Sequence, residues 1–219
     1  MTTARDEVLA RIRTALRRGR APAPVAGTTG QPAYRQHGDA DEASLIGLLA
    51  SRLADYRALV HVVAADSLES EIAAALERRD IATAVVPPAL GLPLPAGVAV
   101  AVDSAEDGHA LSAAELDAAD AVITRAAVAI AETGTIILDG SPDQGRRAIS
   151  LVPDYHLCVL DAGQVVELVP EAVARLAGTA SRPLTWISGP SATSDIELER
   201  VEGVHGPRTL EVLLVAPCP

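Results

Sequence analysis

The segment Trp186-Ile187-Ser188-Gly189-Pro190-Ser191-Ala192-Thr193-Ser194-Asp195-Ile196-Glu197 sets four hydroxyl side chains between an apolar run and a helix start. Ser194-x-x-Glu197 has the spacing of a capping box, in which two side chains satisfy each other's backbone N–H groups. A helix N-terminus has unpaired N–H groups and a positive dipole end, so it suits a phosphate or carboxylate. Ser191, Thr193, Ser194 and the backbone at Gly189 form a candidate anion cradle on this reading. A capped turn whose hydroxyls serve only local backbone groups would have the same residues.

Gly203-Val204-His205-Gly206-Pro207-Arg208 follows, a turn that presents an imidazole and a guanidinium three residues apart. Arginine can fork a carboxylate while histidine moves a proton, the two tools that 2-hydroxy-acid chemistry needs. The alternative is that Arg208 ties its loop to an acid such as Asp195 or Glu202. In Ala131-Glu132-Thr133-Gly134-Thr135, Glu132 is a candidate nucleophile or base at a strand end. It equally suits a hairpin with a solvated carboxylate. Asp139-Gly140-Ser141-Pro142-Asp143-Gln144-Gly145-Arg146-Arg147 ends in paired arginines able to clamp an anion, or simply solvated at the surface. His156 lies at a site mouth or in the core, with the core favoured. Cys158, in an apolar run, reads as an inert buried thiol. The histidines show no metal-ligand spacing, so no metal site is expected.

These loops need a scaffold, and composition limits what it can be. The chain has 219 residues, 18 Lys plus Arg, 29 Asp plus Glu and a formal net charge of −11. Every cation is arginine; there is no lysine and no phenylalanine. Lysine-based Schiff-base, phosphate-loop and general-base chemistry is therefore excluded. The acidic total argues against generic nucleic-acid binding. Two cysteines without a Cys-x-x-Cys pair leave no ligand set for an iron–sulfur cluster or structural zinc on this chain. No uninterrupted apolar leader opens the chain, so a cytoplasmic protein is expected.

Residues 81–102 carry no charge and are long enough to span a bilayer, but Pro87, Pro88, Pro93 and Pro95 break any helix there. Strand, proline-rich loop, strand is the expectation. Val8, Leu9, Ile12 and Leu16 fall on one helical face, in a stretch of 20 residues holding six arginines against two acids. That helix is either a docking arm or a helix packed on its own domain. With the Gly-, Ala- and Pro-rich stretch after it, residues 1–40 read as an arm and linker, and 41–219 as one domain. Within that domain, apolar runs at 59–64, 82–86, 98–102, 121–124, 128–131, 135–138, 156–160, 184–188 and 210–215 read as strands. Helical spacing covers 42–56, 67–79, 112–118, 169–177 and 194–200. The pattern predicts an α/β fold, a three-layer α/β/α sandwich on a mostly parallel (mixed) sheet. Ligands of such sheets bind beyond the carboxyl ends of the strands.

Taken in order, Ala129-Ile130-Ala131-Glu132-Thr133-Gly134-Thr135, Gln144-Gly145-Arg146-Arg147, Pro153-Asp154-Tyr155-His156, the 188–197 segment and the 203–208 turn resemble the lactate utilization protein C, or LUD-domain, family. The likeness is dense over 120–216 and looser before it. It implies the fold group of glucosamine-6-phosphate deaminase, ribose-5-phosphate isomerase and CoA transferases. It also implies a bacterial role in oxidising L-lactate to pyruvate beside partner proteins that carry iron–sulfur clusters. The resemblance supplies no settled catalytic role for this subunit, so the expected site comes from loop chemistry. Gly189, Ser191, Thr193 and Ser194 would cradle an anion, Arg208 would clamp it with Arg146 and Arg147 as further cations, and His205 would pass protons. Thr133 and Gly134 would line the opposite wall. One alternative is a stand-alone enzyme of CoA-transferase or sugar-phosphate-isomerase type, using Glu132 in a faint likeness of a Ser-Glu-Asn-Gly setting. Another is a metabolite-sensing interaction module.

Overall fold

A computed structural model describes residues 4–18, 34–105, 107–179, 182–193, 201–202 and 206–216. Contacts group the chain into two units, residues 1–35 and 36–219, each described by itself. The first holds helix α1 (Ala4–Arg18), where Glu7 and Arg11 pair at 2.6 Å one turn apart. Val8 and Ile12 on its apolar stripe are exposed.

The second unit opens with α2 (Glu42–Asp55). Asp41 caps it by accepting from the Ser44 N–H at 2.8 Å, and Leu49 and Leu53, four residues apart, are buried. Strand β1 (Leu59–Ala64) and helix α3 (Leu68–Glu77) follow. The uncharged stretch then resolves into β2 (Thr83–Val86), the proline loop and β3 (Ala99–Val102), as the four prolines require. Next come α4 (Ala113–Asp117), opened by a Ser112–Glu115 capping box, and β4 (Ala121–Arg125). Strands β5 (Val128–Ile130) and β6 (Thr135–Leu138) form an antiparallel hairpin about Glu132-Thr133-Gly134. The chain continues through β7 (Tyr155–Asp161), β8 (Val165–Val166), α5 (Val169–Arg175) and β9 (Thr185–Ile187). It closes with β10 (Ala192–Thr193), β11 (Val201–Glu202) and β12 (Thr209–Ala216). The helix expected at 194–200 lies outside the described residues.

Six strands form one sheet in the order β1-β12-β7-β4-β2-β3, and every pair is parallel. Residues of alternate parity leave opposite faces of each strand. Leu157, Val159, Leu213 and Val215 therefore pack with Ile72 and Leu76 of α3 on one face. Cys158, Leu160, Val212 and Leu214 pack with Leu49 and Leu53 of α2 on the other. That second face is also covered by a four-stranded sheet, β8-β5-β6-β9, which contributes Ala129, Ile136 and Leu138, with Ala131 from the β5–β6 turn. The result is the expected three-layer α/β sandwich. The main sheet is parallel throughout, and strand mixing is confined to the smaller one. Ala, Val, Leu and Ile fill the core, Tyr155 is the aromatic residue buried in it, and Trp186 is exposed. Among the described residues no helix is long and apolar enough to cross a membrane.

Candidate functional site

Two cavities meet at Arg147. The first, about 370 Å³, is lined by Arg147, His156, Ser188, Gly189, Ser191 and Gly206 among others. The second, about 340 Å³, lies where β2 and β3 end and is lined by Asp103, Ser141, Arg146, Arg147 and Arg182 with Pro88, Pro142 and Pro183. Ligands were expected beyond the carboxyl ends of the main strands, and the second cavity is there. The first sits instead at the amino ends of β7 and β12, beside His156 and Leu210, because β9 of the smaller sheet delivers its Ser188–Ser191 loop to that place.

Local geometry holds this loop. Pairing of Ile136 with Ile187 brings Thr135 level with Ser188, and their hydroxyls hydrogen-bond at 2.8 Å. The Thr135 hydroxyl also bonds that of Thr133 at 2.8 Å, so a chain of three hydroxyls ends on the cavity wall at Ser188. Ser191 donates its N–H to the Pro207 carbonyl at 2.8 Å, tying the loop to the turn before β12. Gly189 has φ +113, and a Cβ there would lie 2.7 Å from Tyr56 Cβ. Gly189→Ala is therefore expected to destabilise the protein by roughly 2 kcal/mol or more. Gly97→Ala, where an added Cβ meets nothing within 4 Å, should be near neutral. Calorimetric melting of both variants checks this, and equal melting temperatures would contradict it.

The expected site residues separate. Gly189, Ser191 and Arg147 share the first cavity. Thr133 reaches it through the hydroxyl chain, while Gly134, with φ +60, packs where an added Cβ would lie 2.7 Å from Arg52 Cβ. Arg146 is clasped by Asp103 through two hydrogen bonds of 2.8 Å and also donates to the Leu111 carbonyl. It props the second cavity, leaving Arg147 as the cation common to both. The Ser150 hydroxyl donates to the Arg147 carbonyl at 3.1 Å, but no hydrogen bond or ion pair engages the Arg147 guanidinium among the described residues, and the residue is exposed.

Arg208 faces elsewhere. It pairs with Asp154 at 3.3 Å, both side chains more than 60% exposed, and lines a separate, larger cavity of about 730 Å³. Glu132 is exposed on its hairpin, its N–H donated to the Glu167 carbonyl at 3.1 Å. Thr193 pairs with Val201 in a short ribbon. Ser194 and His205 lie outside the described residues. Among the described residues no cluster of three or more His, Cys, Asp or Glu could hold a metal ion.

Two buried polar groups stand out: His156, read from the sequence as a core histidine, and Glu211, which no local spacing marks. His156 is 1% exposed, and its Nε2 hydrogen-bonds the Thr124 hydroxyl at 2.8 Å. Burial lowers its pKa to about 4, so the ring is neutral at physiological pH. Burial likewise pushes the neighbouring Cys158 thiol up to about 12, which fits an unreactive group. On the opposite face of the sheet, Glu211 is 1% exposed and meets Arg78 at 2.7 Å, His61 at 3.0 Å and Arg79 at 3.4 Å. The Tyr155 hydroxyl donates to it at 3.1 Å, and the Arg79 guanidinium stands 4.8 Å from the centre of that ring.

Comparison with known proteins fits this architecture. Lactate utilization protein C of Deinococcus radiodurans is 50% identical over 186 residues, covering 84% of this chain and 85% of that relative. Lactate utilization protein C of Bacillus subtilis is 33% identical over 100 residues, 43% of this chain and 41% of that relative. A crystal structure of a DUF162 family protein from Deinococcus radiodurans has TM-score 0.69 and 41% identity, covering 81% of this chain and 99% of the other. The model of the LUD domain matches residues 5–215, and the chain belongs to the LUD domain family.

Proposed function

We propose that this protein is a cytoplasmic, non-redox subunit of a lactate utilization system in which partner proteins bearing iron–sulfur clusters oxidise L-lactate to pyruvate. Residues 41–219 form the ligand-binding domain, and residues 1–40, with their arginine-rich helix, dock the partners. The observation that carries this reading is the 50% identity, along most of the chain, to a relative named for lactate utilization. The cavity chemistry supports a binding role. Arg147 offers a permanent positive charge with a planar set of donors suited to a carboxylate or phosphate. Ser188, Ser191 and the backbone at Gly189 supply neutral polar groups beside it.

The test is genetic and biochemical. Deleting the gene should abolish growth on L-lactate and spare growth on pyruvate. The purified chain alone should not oxidise L-lactate, whereas adding it to the iron–sulfur partners should restore oxidation. Normal growth of the deletion strain on L-lactate would overturn the assignment. A chain lacking residues 1–20 should lose partner binding while keeping its fold, measured by co-purification and circular dichroism.

A further inference from the structure

One ring nitrogen of the buried His156 has no hydrogen-bond partner among the described residues. The ring lines the first cavity, and Thr124 engages only its Nε2. No described residue bonds Nδ1. The described residues also contain no sealed side-chain nitrogen or oxygen without a partner. The free nitrogen therefore opens onto the cavity that the ring lines. An unpaired imidazole nitrogen at a cavity wall is available to a ligand that donates or accepts a hydrogen bond.

The chemistry of the ring narrows what it would meet. In a neutral imidazole one nitrogen donates and the other accepts, with the assignment set by the bond the first one makes. A hydroxyl can pair with either form, because it both donates and accepts. A carboxylate or ketone can pair only with the donor form. The uncharged ring supplies no charge for an anion, and Arg147 on the same cavity does. Leu151, Leu184, Ile187 and Leu210 provide apolar wall, and the space exceeds what a methyl substituent needs.

We propose that His156 reads the 2-hydroxyl of a 2-hydroxy carboxylate in this cavity, with the carboxylate on Arg147 and an aliphatic substituent against the leucine and isoleucine walls. The contact is one of binding and selectivity, and no bond is made or broken in it. This rests on the anion-site reading above.

The probe pair is L-2-hydroxy-4-methylpentanoate and 4-methylpentanoate, which differ only by the hydroxyl. Titration of the full chain should give a Kd about fivefold to tenfold lower for the hydroxy acid, the effect of one buried hydrogen bond. In imidazole nitrogen NMR, Thr124→Val identifies the His156 ring through its Nε2 resonance, and the Nδ1 resonance of that ring should move on addition of the hydroxy acid and stay still with the other. His156→Phe should bind both acids equally. If that variant fails to fold, Thr124→Val should lower the preference, because it frees the ring whose orientation the hydroxyl holds. Equal Kd values for wild type with an unmoved ring signal would overturn the role of His156. If Arg147→Ala still weakened both acids in that case, the anion site would stand without the hydroxyl reader. Binding of neither acid would overturn both.

Discussion

Arg147→Ala is expected to weaken binding of small carboxylates roughly 10- to 100-fold, the range for losing a charge-assisted pair of hydrogen bonds. The Arg147 guanidinium holds no partner among the described residues and is exposed, and the carbonyl that accepts from Ser150 stays in the variant, so the substitution leaves nothing buried without a mate. Stability should stay within about 0.5 kcal/mol of wild type. The adjacent Arg146 is a contrasting case. Arg146→Ala would strip both guanidinium bonds from Asp103, which is 2% exposed, and should cost stability before it touches binding. Arg208→Ala breaks one exposed ion pair, worth at most about 1 kcal/mol, and should leave carboxylate affinity unchanged. Calorimetric titration of the three variants separates these outcomes. A larger affinity loss in Arg208→Ala than in Arg147→Ala would move the site to the larger cavity beside Asp154.

The largest stability effect is expected at Glu211. Glu211→Leu leaves the Tyr155 hydroxyl, in a residue 4% exposed, without its acceptor, and strips Arg78, Arg79 and His61 of their common partner. A loss of about 3 kcal/mol is expected for breaking a buried charged network from one side. At about 2–4 °C per kcal/mol for a chain of this size, the melting temperature should fall by roughly 6–12 °C. A drop under about 2 °C would mean that the partners are satisfied by water instead.

The pH dependence follows from the same contacts. Burial raises the Glu211 pKa, but hydrogen bonds from Arg78 and Tyr155 and the charges of Arg78 and His61 outweigh it, so the net shift is downward from 4.5. A depressed carboxylate pKa contributes stability that is fully present above the unfolded value and is lost as pH falls through the folded one. Glu211→Gln keeps the shape and removes the titration. Its stability gap to wild type should therefore narrow as pH is lowered below 4.5, and a gap that widens there would contradict the sign.

Much of the architecture can be read along the chain because its signals are local. Uncharged apolar runs bounded by Gly, Pro and Asp become strands within a residue or two of their expected ends, as at Leu59–Ala64 and Thr135–Leu138. Four prolines decide the loop between β2 and β3 whatever surrounds them. Glu132-Thr133-Gly134 reads as a hairpin and is one. The absence of lysine likewise decides, from composition alone, that every permanently charged side-chain cation is a guanidinium.

Which guanidinium the fold leaves unpaired is another matter. Arg146 and Arg147 are neighbours of one type, and nothing in their spacing tells them apart. The fold does so by bringing Asp103, 43 residues away, against one of them. His205 and Arg208 look like a functional pair on paper, yet Arg208 is spent on Asp154 at the surface. His156, read as a core histidine, is buried and also opens on a cavity, because its parity on β7 puts it on the face where β9 delivers the Ser188 loop. Glu211 gathers partners from residues 61, 78, 79 and 155, contacts set by strand register and by the turn after α3. Periodicity and turn chemistry act over a few residues, so the chain alone dictates its elements and its layers. Partnering among side chains depends on register between strands distant in sequence, so which guanidinium is paired and which imidazole is buried at a cavity is decided only in the folded molecule.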